Sequence, residues 1–248
     1  MTIVTPVQHP DLDVLLDQLS QALEDSLLSI VLYGSAARGD YEKRTSDINL
    51  IVVVAQLTPR VLEQMSPALL RWESRGQPLP RLFTARTIAD SVDVFPIEFL
   101  ELQACRQVLV GSDPFANIQV NTAHLRLQCE RELREKLMRL CEGYVETWER
   151  PRRLRRLLID SYSTFVSLFR GCLWLQDDEV PTRSNDVVRR FCEVASLDPE
   201  PFTVVEEMKH GERGNTDERK VFTCFFDALT LALQRVDRFD VLSRGDSE

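Results

Sequence analysis

The chain has 248 residues, 44% hydrophobic and 28% charged, with a net charge of −9. That length allows one large domain or two small ones with real cores, and the composition is that of a soluble globular protein. The acidic balance argues against non-specific nucleic-acid binding, which needs a basic surface.

In chain order, "DLDVLLDQLSQALEDS" sets Leu12, Leu15, Leu16, Leu19, Ala22 and Leu23 at helical spacing and predicts an amphipathic first helix. "LLSIVLYG" reads as a buried strand, "SAARGDY" has room for a short helix, and "INLIVVVA" is a second buried strand. "TPRVLEQMSPALLRWESRG" predicts a helix with Thr58 as N-cap, Pro59 at the first helical position and Gly76 near its end. Pro67 would bend or split it. "PRLFT" fits a short strand, "ARTIADSV" a short helix, "VDVFPIEFLEL" a strand, "RQVLVG" another strand and "GSDPF" a turn. From Asn121 onward the pattern is helical: two long segments, then three shorter helices from Asn185, Pro199 and Asp217. "DSYSTFVSLFRGCLWLQ" reads as the core of that half, with a helix-pairing surface and a homodimer as a second use. The expected division is a domain over 1–118 and a helical domain over 119–248.

The six cysteines (Cys105, Cys129, Cys141, Cys172, Cys192, Cys224) form no C-x-x-C pair, and His9, His124 and His210 are isolated. This implies free thiols in a reducing cytoplasm and neither a disulfide framework nor a zinc site. "MTIVTPVQHP" has no basic n-region or long apolar core, so no signal peptide is expected. No uncharged apolar stretch is long enough to span a bilayer, and no membrane partner is expected.

The chemistry concentrates in "VLYGSAARGDYEKRTSDINLIVVV". A glycine after a strand lets the backbone turn tightly and approach a ligand, and a following helix start favours an anion such as phosphate. Gly34 and Ser35 fit that role, and Arg38 lies one turn further on. Asp47 and Asn49 are two apart, so both leave one face of the next strand. The plainer alternative is a turn capped by Ser46-Asp47 with Asn49 at a strand edge. Glu98, flanked by Ile97 and Phe99, needs a partner or a metal if it lies mid-strand. Its alternatives are a buried ion pair or an edge position beside Pro96.

These motifs resemble the signature of the DNA-polymerase-β-like nucleotidyltransferase superfamily: a hydrophobic strand, Gly-Ser, then Ser-Asp-x-Asp. The two-domain layout is similar to that of aminoglycoside nucleotidyltransferases. The resemblance implies an α/β (α+β) fold, a small mixed sheet with flanking helices followed by an all-helical C-terminal domain. It implies NMP transfer from an NTP, with ATP the expected one, to an unidentified hydroxyl acceptor. Gly34 and Ser35 would hold the triphosphate; Asp47, Asn49 and Glu98 would bind Mg2+; Asp47 and Glu98 would be catalytic; Arg38 joins the triphosphate site by its place one turn into the Gly-Ser helix. The sequence departs at Asn49, where the family has a second aspartate.

Mg2+ prefers hard anionic oxygens, and a neutral amide oxygen bridges two cations poorly. The second ion is the one weakened, with a loss of about 10²–10⁴-fold in rate if nothing compensates. Asp40 could swing in from the loop. Eleven Lys and Arg against seven acids in 121–170, densest at "RPRRLRR", could grip an anion, or could be a solvated helix surface with i,i+4 pairs. The other functional readings are a catalytically degenerate nucleotide-binding regulatory protein and an antitoxin-like partner.

Overall fold

The protein, seen in a computed structural model, is described over residues 9–38, 47–176, 180–214 and 216–239. It divides into two compact units between Val120 and Asn121.

In the first unit, α1 (Pro10–Leu23) opens on a proline, which has no N–H to leave unpaired, and buries Leu12, Leu15, Leu19 and Leu23 along one stripe. A 3₁₀ turn leads into β1 (Leu27–Tyr33), followed by a single helical turn α2 (Ser35–Arg38) and β2 (Asn49–Val54). Next comes α3 (Pro59–Ser74), whose N-cap is Thr58: its hydroxyl accepts the Val61 N–H at 3.3 Å. Pro67 lies inside α3 without splitting it. The unit continues through β3 (Arg81–Phe83), α4 (Ala85–Ala89), α5 (Pro96–Ala104) and β4 (Arg106–Gly111).

The sheet order is β3-β2-β1-β4. β1 runs antiparallel to β2 and β4, and β2 runs parallel to β3, so the sheet is mixed. Alternation sends Ile30, Leu32, Ile48, Leu50, Val52 and Val54 to one face, where they pack with α1 and α3 residues such as Leu19, Met65 and Trp72. Val31, Ile51 and Val53 point to the other face, under Ile88, Phe99, Leu102 and Phe115. Both faces are covered, which is why the strands read as continuous apolar runs.

One expected strand is corrected. "VDVFPIEFLEL" contains no strand: residues after Val92 turn, and Pro96–Ala104 is the helix α5. Pro96 takes the first helical position, and Phe99 N–H donates to the Phe95 carbonyl at 3.1 Å. Phe95 is 47% exposed, so the Phe95-Ile97-Phe99 alternation is not a buried face. Phe99 and Leu102, three apart, form the buried stripe.

The second unit is helical: α6 (Thr122–Glu146), α7 (Pro151–Gln176), α8 (Ser184–Ala195), α9 (Glu200–His210) and α10 (Glu218–Val236). Asn121 caps α6 by accepting the Ala123 N–H at 2.8 Å. Its core is aromatic; Phe169 stacks on Phe191 at 3.9 Å and meets Phe202 edge-on. Among the described residues no helix is long and apolar enough to cross a membrane.

Candidate active site

The site is built at one end of the sheet, where β1 stops and β2 starts. Tyr33, the last residue of β1, pairs with Asn49, the first residue of β2. Gly34 follows with φ +77°, a left-handed conformation that side chains rarely adopt, and turns the chain into α2. The Ala37 N–H closes that turn on the Gly34 carbonyl at 3.1 Å. Because α2 is only four residues long, it offers the amides of a tight turn and little macrodipole.

The antiparallel register brings Gly34 against Asn49. A Cβ built on Gly34 would lie 3.2 Å from Asn49 Nδ2. The left-handed backbone angle is what asks for glycine here, and any side chain would also press the Asn49 amide aside by a few tenths of an ångström. Asn49 is half-buried on the Ile51–Val53 face, and Asp47, just ahead of the strand, is exposed. Asp47 thus sits at the open end of the row that the sequence parity assigns to it and to Asn49.

Ser35 begins α2 and Arg38 ends it. Their side chains, and Asp40, lie outside the described residues. Glu98 is in the first turn of α5, half-buried and engaged by a neighbouring group, and not on a strand. α5 covers the same sheet face that carries Asn49 and Ile51. Among the described residues no three His, Cys, Asp or Glu side chains converge as a metal-binding group. The donors at the strand end are one carboxylate and one amide, both offering hard oxygens. That set fits an Mg2+ ion that keeps waters and takes phosphate oxygens.

Two further residues border the site. Gln77 Oε1 accepts the backbone N–H of Ile48, between Asp47 and Asn49, at 2.9 Å. Arg81 is exposed at the start of β3, with its guanidinium carbon 5.8 Å from the Tyr33 ring centre. Sequence reasoning missed both, because each depends on a strand neighbour set by the fold. Burial pushes the Tyr33 hydroxyl above its ordinary pKa, and the Arg81 charge opposes that push.

In the helical unit, Arg155 of the basic stretch is committed to internal bonds. Its guanidinium donates to the Arg213 carbonyl at 2.7 Å and to Thr216 Oγ1 at 3.2 Å, and lies 3.7 Å from Glu218. Arg156 pairs with Asp160 one turn on, while Arg152 and Arg153 are exposed.

Residues 12–111 match the nucleotidyltransferase domain family. Among solved structures the chain is similar to spectinomycin adenyltransferase AAD(9) from Enterococcus faecialis, determined with ATP and spectinomycin. The TM-score is 0.54 at 12% identity, covering 92% of this chain and 98% of that one. At that identity the likeness speaks for the fold. No curated protein matches the sequence.

Proposed function

Because its first unit is a nucleotidyltransferase domain of the DNA-polymerase-β-like superfamily, we propose that the chain transfers a nucleoside monophosphate from ATP to a hydroxyl of an acceptor. The observation that carries this reading is the Gly34 turn packed on Asn49, with Asp47 at the open end of the same strand. The likeness to an enzyme solved with ATP supports ATP as the donor.

In the proposed reaction the acceptor oxygen attacks the α-phosphorus, the bond to the β-phosphate oxygen breaks, and pyrophosphate leaves. Gly34 and Ser35 bring backbone amides to the triphosphate. The Asp47 carboxylate and the Asn49 amide oxygen would hold Mg2+, which supplies charge neutralisation at the phosphates. Glu98 is the proposed acceptor of the hydroxyl proton; its support is the placement of α5 over this sheet face. The absence of disulfides among the six cysteines fits work in the cytoplasm.

The neutral Asn49 favours a second reading, a nucleotide-binding regulatory or antitoxin-like protein with little turnover. One assay separates the two: labelled ATP, Mg2+ or Mn2+, and a panel of hydroxyl acceptors. Pyrophosphate release that disappears in Asp47→Ala is the expected result. ATP binding without release from any NTP would replace the enzyme reading with the regulatory one.

A further inference from the structure

Arg81 is the first residue of β3 and pairs with Ile51 of β2. Paired residues in a parallel ladder share a face. The neighbours agree: Leu82, opposite Val52, packs in the α1/α3 core, while Phe83, opposite Val53, packs under α5. Arg81 therefore leaves the sheet on the same face as Ile51 and Asn49. β3 and β1 are separated by β2, roughly 9–10 Å apart at two interstrand spacings. Yet the Arg81 guanidinium carbon is 5.8 Å from the ring of Tyr33, on β1. The side chain thus crosses β2, and the residue of β2 paired with Tyr33 is Asn49.

A guanidinium resting near an aromatic face keeps its N–H edges for other partners. Among the described residues Arg81 makes no ion pair; its contact is with Tyr33. The β2 residue paired with Tyr33, Asn49, is neutral and offers the guanidinium no ion pair.

We propose that Arg81 is the resident cation of this site and grips the triphosphate of the nucleotide across β2 from Gly34. This rests on the nucleotidyl-transfer reading. It specifies that part of the charge assigned to a second metal ion comes from the protein. Guanidinium matches phosphate oxygens with two parallel N–H bonds, which an ammonium does not reproduce.

The test is titration of ATP and of AMP into the full chain with EDTA present. Arg81→Ala is expected to weaken ATP about tenfold and leave AMP unchanged, the size of a lost charge-assisted hydrogen bond. Arg81→Lys should recover part of the ATP affinity. ATP affinity unchanged in Arg81→Ala, or ATP and AMP weakened alike, overturns the inference. Asp47→Ala separates it from the functional reading. That variant keeps Arg81, so metal-free ATP affinity should hold or rise while Mg2+-dependent pyrophosphate release is lost. Release that survives Asp47→Ala overturns the assigned role of Asp47 and leaves the Arg81 grip to be decided by the metal-free titrations. ATP affinity that survives Arg81→Ala overturns this inference alone.

Discussion

Gln77 secures the strand segment between Asp47 and Asn49: its side-chain Oε1 accepts the Ile48 N–H at 2.9 Å. β3 first pairs with β2 at Ile51, so the residues ahead of Ile51 have no backbone partner in β3. The Gln77 amide takes up that task. Its loop is held in turn by buried Trp72, whose indole N–H donates to the Pro78 carbonyl at 2.9 Å. Gln77→Leu removes the acceptor and leaves a half-buried N–H unpaired, at a cost of about 1–3 kcal/mol. Gln77→Glu retains an acceptor and should cost less. Urea unfolding gives the stability, and Mn2+ titration should show weaker binding in the leucine variant. Stability and Mn2+ binding both unchanged would remove Gln77 from any positioning role.

Asn49→Asp replaces the amide by a carboxylate of nearly the same shape beside Gly34, so the fold should tolerate it. An added anionic ligand should strengthen Mn2+ binding by about tenfold and raise any pyrophosphate release. Electron paramagnetic resonance of free Mn2+ reads the affinity directly. Equal affinity in the two proteins would show that residue 49 does not face the cation.

Gly34 is legible in the sequence because a tight turn after a strand asks for glycine, and the start of β2 near Asn49 is legible from the apolar run that follows. The Thr58 cap is local and equally readable. The α5 segment is not. Over a few residues, Phe95-Ile97-Phe99 fits a strand, and Pro96-Phe99-Leu102 fits a helix equally well. Pro96 at the first helical position was the available signal. Arg81 and Gln77 carry no local signal, since what they touch follows from the order β3-β2-β1 and the β2–β3 register.

Gly111 ends β4 with φ +77°, and a Cβ there would lie 2.0 Å from the Leu28 carbonyl oxygen. The obstacle is backbone of the central strand, and Gly111 is itself paired with Ser29. Relief requires β4 to move away from β1. Gly111→Ala should therefore destabilise the first unit by about 3 kcal/mol or more, from left-handed strain plus lost pairing. A thermal melt read by circular dichroism checks this. A midpoint close to that of the parent would contradict the close approach.

Arg106 and Asp113 tie the end of α5 to the loop after β4. Arg106 Nε donates to both Asp113 oxygens, at 2.9 and 3.0 Å, and Nη2 donates to Oδ2 at 2.7 Å. Asp113 Oδ1 also accepts the N–H of Phe115, whose ring is fully buried near Phe99. The Arg106 hydrogen bonds lower the Asp113 pKa most; burial opposes them, and the Phe115 N–H and the Arg106 charge lower it further. A carboxylate with a depressed folded-state pKa adds stability that is fully present above its unfolded value, about 3.9, and is lost as pH falls through the folded value. The pair is partly exposed, so its worth near neutral pH is about 1 kcal/mol. Asp113→Asn should cost that amount at pH 7, and the gap between the two proteins should close as the acid protonates below pH 3.9. Unfolding free energies measured across that range decide it. A gap that stays constant into acid would mean the charge on Asp113 contributes nothing.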